Sequence, residues 1–151
     1  MLLPRSVLFF LLVSPSLLAS AELAVSDAWI RALPPTQPVT AAYVAVTNNG
    51  TQAINLVGAR VEGAGRVEIH TTLEVDGLMR MQQLPELPIP PGQTVSLEPG
   101  GSHFMLFELE AMPQPGESRQ MCLLFEGAVE QCLTAVVRKT AATDHSHHQH
   151  H

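Results

Sequence analysis

The chain has 151 residues, a formal net charge of −6 at pH 7 and 46% hydrophobic residues, enough for one ordinary domain with its own apolar core and too short for two. It has no basic cluster, which argues against nucleic acid and anionic membrane surfaces as partners. With only two cysteines, Cys122 and Cys132, it is not a disulfide-dense scaffold either.

In chain order, Arg5 precedes an apolar run from Val7 to Leu18, followed by Ala19-Ser20-Ala21. A single positive charge, an apolar stretch too short to span a bilayer and a small-x-small site together predict a secretory signal peptide over 1–21, cleaved after Ala21. The protein is therefore expected to be periplasmic or otherwise extracytoplasmic, without membrane insertion after cleavage. No cysteine lies near that site, so a lipoprotein is not expected.

From Glu22 to Lys139 no window repeats its apolar residues at helical spacing for three turns. Short alternating runs predict strands over 23–30, 41–47, 54–61, 66–70, 77–84, 94–97, 104–109, 119–125 and 131–137. Pro34-Pro35, Asn48-Asn49-Gly50, Pro90-Pro91-Gly92 and Pro99-Gly100-Gly101 punctuate them. About nine short strands so closely spaced point to an all-β, antiparallel Greek-key sandwich or barrel over 22–139. A hairpin across Glu126-Gly127-Ala128 would set Cys122 directly opposite Cys132. The pair then reads as a cross-strand disulfide or as two buried thiols, and both readings stay open. The spacing is not Cys-x-x-Cys, which ranks a redox-active pair last.

Beyond Lys139 the chain turns to Thr140-Ala-Ala-Thr-Asp144 and then His145, His147, His148, His150 and His151, with nothing apolar to bury. Residues 140–151 are expected to form a disordered tail. Its interrupted histidines resemble a native metal-binding arm more than an expression tag, and imidazole clusters suit copper(II).

Outside the tail stand only His70 and His103. Residues two apart on a strand share a face, so His103 and Met105 can present an imidazole and a thioether side by side, with His70 ending one strand and Met81 in the next. Met79 has the same parity as Met81 and is an auxiliary candidate. Two imidazoles and two thioethers make a neutral, soft donor set that favours copper(I); zinc prefers thiolate, imidazole or carboxylate, and calcium or magnesium require oxygen.

The run His70-x10-Met81-x21-His103-x-Met105 has the spacing of the copper motif of the periplasmic PCu(A)C copper chaperones. Asp27-Ala-Trp29-Ile-Arg31, Ala41-Ala-Tyr43, Asp76-Gly-Leu-Met-Arg-Met81 and Pro99-Gly-Gly-x-His103 also resemble that family. The resemblance implies a cupredoxin-like fold and one copper(I) held by His70, Met81, His103 and Met105; the protein is expected to be a monomer. It also implies delivery to the copper-site subunit of cytochrome c oxidase or to a Sco-type thiol protein. Thr71 stands where some members carry a further methionine.

A buffering or resistance protein with the same site, and an adhesion or assembly sandwich, are the alternatives. A blue-copper carrier would need a cysteine ligand followed closely by histidine, and neither Cys122 nor Cys132 has one. An enzyme is not expected: there is no Ser-His-Asp set, no carboxylate pair near a histidine, and Glu22 rather than histidine follows the cleavage site.

Overall fold

A computed structural model describes residues 22–140. The signal-peptide and His-tail expectations therefore lie outside the described residues, and no helix among these is long and apolar enough to cross a membrane.

Ten strands form: β1 (Leu23–Arg31), β2 (Thr40–Asn48), β3 (Ile54–Val61), β4 (Ala64–Val75), β5 (Leu78–Leu84), β6 (Leu87–Ile89), β7 (Thr94–Leu97), β8 (His103–Leu109), β9 (Ser118–Phe125) and β10 (Val129–Arg138). Two differences from the sequence reading concern β4 and β6. Strand β4 does not end at His70 but continues to Val75, because Asp76-Gly77, both with positive φ, make a two-residue hairpin turn into β5. Strand β6 was missed because Leu87-Pro-Ile89 is too short to show alternation.

The strands follow the order β5-β4-β8-β2-β1-β10-β9-β3-β6, and β7 pairs with β2 beyond the point where β8 leaves it. All pairs are antiparallel except one: β1 runs parallel to β10, with Arg31 beside Arg138. The expected all-β, largely antiparallel sandwich is thus present, with this one parallel pair within it. The ribbon closes around one core as a cupredoxin-like β-sandwich. Ile30, Leu56, Ile89, Phe104, Leu106, Met121 and Leu123 are among its fully buried side chains.

Parity decides which residues turn away from this core. On β8, Phe104 and Leu106 point in, so His103, Met105 and Phe107 point out; on β4, Ile69 is buried in the core, so Glu68 and His70 take the other face. Strand β1 needs a correction midway. Leu23 and Val25 face inward, then the register shifts between Ser26 and Trp29, with Asp27 at φ 56°, and Ala28 and Ile30 face inward instead. One extra residue thus exchanges the faces and sends Trp29 and Arg31 outward, onto the surface that carries His103.

The β9–β10 hairpin turns through a 3-10 turn at Glu126–Ala128 and pairs Cys122 with Cys132 as expected. The two are bonded as a disulfide with a Cα–Cα separation of 4.0 Å.

Candidate metal centre

Strands β4 and β8 are in register with His70 directly opposite His103. Strand β5 adds Met81 opposite Thr72, two residues beyond His70, and β2 sets Ala41 opposite Met105. Directly opposed residues share a face, so His70, Met81, His103 and Met105 all belong to the outer surface of this corner of the sheet. The two imidazole centroids are 6.2 Å apart. A cavity of about 240 Å³ opens beside them, and its walls include Met81, His103 and Met105 together with Arg31, Tyr43 and Gly100. His70 borders His103 without lining this cavity. Met79 pairs with Glu74, further toward the hairpin tip, is 64% exposed and does not reach the cavity wall.

Each imidazole has one nitrogen engaged. His103, only 6% exposed, is held through Nδ1 by the Gly101 carbonyl at 3.0 Å, so the Nδ1–H tautomer leaves the Nε2 lone pair for another partner. His70 Nε2 lies 2.8 Å from Glu68 Oε2, and donation to that carboxylate leaves Nδ1 as acceptor. That Nδ1 is buried and has no hydrogen-bond partner. A buried lone pair without a partner is costly, and a soft cation is one way to satisfy it. Glu68 is held in turn by Arg66, which lies 4.1 Å over the Phe107 ring. Burial, seconded by the Arg66 cation, pushes the His70 imidazole below its ordinary 6.5 despite Glu68, so it stays neutral and able to donate near neutral pH. Burial pushes the Tyr43 phenol up, opposed by Arg31.

Size alone would not find this place. A cleft of about 610 Å³ near Leu23, Asn48 and Gln131 is larger but offers no histidine, cysteine or methionine. Three His, Cys or carboxylate donors converge among the described residues at Cys122, Glu130 and Cys132, but there both sulfurs are spent in the disulfide. The supporting residues Glu68, Arg66 and Tyr43 received no role from the sequence. The parity that links His103 to Met105 would have linked Glu68 to His70, whereas Tyr43 reaches the site only through the pairing of β2 with β8.

The sandwich itself is similar to that of solved PCuAC domains. By its match over residues 23–137, the chain belongs to the LpqE-like family, which is provisionally described as lipoprotein. A curated relative, Lxx21020 of Leifsonia xyli subsp. xyli, also provisionally named a lipoprotein, is 36% identical over 102 residues, 67% of this chain and 60% of that protein. The chain thus spans about 60% of that relative's length.

Three solved structures are similar. The copper-bound PCuAC domain from PmoF2 is 25% identical with a TM-score of 0.65, covering 79% of this chain and 94% of its own. The apo PCuAC domain from PmoF1 is 28% identical with a TM-score of 0.65, covering 78% and 93%. The copper(I) form of DR1885 from Deinococcus radiodurans is 34% identical with a TM-score of 0.61, covering 74% and 75%.

Proposed function

We propose that this chain is an exported, periplasmic copper(I) carrier that hands its ion to another protein and performs no chemistry of its own. The observation that carries the reading is the β4–β8 register, which sets His70 opposite His103 and leaves His70 Nδ1 buried without a partner beside the thioether-lined cavity. Similarity to copper-bound and copper(I)-bound PCuAC structures supports it. The ion is cargo. His70 Nδ1, His103 Nε2 and the Met81 and Met105 thioethers form its neutral donor set.

The unequal fixing of these ligands suits transfer. His103 is buried and tied to Gly101, whereas Met81 is 56% exposed on β5, the terminal strand of the sheet. Met81 is the ligand a partner displaces first. Thiolate carries charge that neutralises copper(I), so the ion moves from this site to a dithiolate and not back. A cytochrome c oxidase copper-site subunit or a Sco-type thiol protein has such a donor set, and the chain acts as a monomer toward it. The histidines of 140–151 collect copper(II) separately.

The test is anaerobic titration of the protein with copper(I), followed by mixing with an apo oxidase copper domain and with a Sco-type protein. One equivalent bound and then lost to a thiol acceptor is expected. Failure to bind copper(I) sinks the proposal; binding with full retention in both mixtures turns it into copper storage.

A further inference from the structure

Arginine pairing in this acidic protein is uneven. Arg60 is paired with Glu130, Arg66 with Glu68 and Glu108, and Arg119 with Glu117. Arg31, Arg80 and Arg138, by contrast, have no carboxylate within ion-pair distance among the described residues, and the parallel β1–β10 register sets Arg31 and Arg138 side by side. Like charges opposed across a strand pair repel. The Nε atoms of Arg31 and Arg138 are also buried without a hydrogen-bond partner.

An aromatic stack holds these two cations in place. Trp29 and Tyr43 stack at 4.3 Å between centroids; the Arg138 guanidinium lies 4.6 Å over Trp29 and that of Arg31 lies 5.4 Å over Tyr43. Such stacking fixes the planar forks without neutralising them. Arg31 lines the metal cavity, and Arg138 lines a cleft of about 580 Å³ that meets this cavity at Pro99. Asp27 and Glu98 also line that cleft but approach neither arginine within ion-pair distance, and the Asp27 carboxylate accepts the Ser26 hydroxyl.

We propose that Arg31 and Arg138 form a carboxylate-binding site that receives an acidic segment of a partner protein beside the metal cavity. Two pre-oriented guanidiniums match a planar carboxylate, and binding one relieves their mutual repulsion. The adjoining cleft is far larger than a free carboxylate needs and has room for the chain that bears it. The site goes beyond the copper reading and is tested on the metal-free protein, so the two stand or fall separately.

Trp29 is the only tryptophan in the sequence, and its emission reports directly on the ring beneath Arg138. Metal-free protein is titrated with an eight-residue peptide carrying adjacent aspartates, with the same peptide carrying asparagines, and with acetate. A saturable change with the aspartate peptide is expected, weaker by about tenfold or more for the asparagine peptide and lost in the R31Q/R138Q double variant. Should that variant fail to fold, R31K/R138K retains both charges without the planar fork and weakens aspartate binding. Equal responses to the two peptides, or binding retained in the glutamine variant, overturn the site. Acetate acting at the same carboxylate concentration as the aspartate peptide overturns the protein-borne source.

Discussion

Replacing Glu68 by alanine probes the arrangement around His70 without touching any of the four proposed copper ligands. Glu68 is the sole hydrogen-bond partner of His70 Nε2, at 2.8 Å, and both side chains are largely buried, 18% and 15% exposed. Without the carboxylate the ring loses both its fixed orientation and the acceptor that keeps the proton on Nε2. Loss of such an outer partner lowers metal affinity by about 10- to 100-fold, or about 1.4 to 2.7 kcal/mol. Arg66 contributes little to this change, being half exposed and retaining Glu108. Glu68→Gln keeps an acceptor for Nε2–H and loses only the charge, so its affinity falls less than that of Glu68→Ala. The assay is anaerobic competition against a chromophoric copper(I) chelator, with thermal unfolding of the apo proteins as the control for the fold. An unchanged copper(I) affinity in a folded Glu68→Ala protein would refute the assignment of Nδ1 as the donor atom of His70.

Three further outcomes follow from other parts of the fold. Replacing Cys122 and Cys132 by serine opens a loop with a sequence separation of 10, which should cost about 2 to 3 kcal/mol in chain-entropy terms by denaturant titration, with copper(I) affinity unchanged because none of the four proposed ligands lies on β9 or β10. Phe104→Ala, between His103 and Met105 but facing the core, should cost about 3 to 5 kcal/mol of stability; a negligible loss would show that the inward–outward parity of β8 is misread. Because burial holds His70 below its unfolded value of about 6.5, the unfolded chain takes up that proton first, so apo stability falls as pH drops through 6.5 and levels off below the folded value. His70→Gln should flatten that slope in denaturation curves at pH 5 to 7.5, and an unaltered slope would place the titration elsewhere.

Much of the corner that carries the histidines was legible along the chain, because side-chain direction in a strand is a local property with a period of two. His103 and Met105 share a face whatever strand lies next to them, and the hairpin that opposes Cys122 to Cys132 spans few enough residues to be counted. The donor chemistry also belongs to residue types, so two imidazoles with two thioethers select a soft cation before any fold is known. Register between strands distant in sequence is not local. Only the folded sheet decided that His70 stands opposite His103 in mid-strand, that Glu68 rather than water holds its Nε2, and that Ala41 lies against Met105 so that Tyr43 reaches the cavity. The same holds for the parallel pairing of β1 with β10 and for the bulge near Asp27 that turns Trp29 and Arg31 outward. An alternating sequence fits several registers nearly equally well, and the choice among them is made by the simultaneous burial of Ile30, Phe104 and Leu106 in one core, a condition that exists only once all the strands are in place.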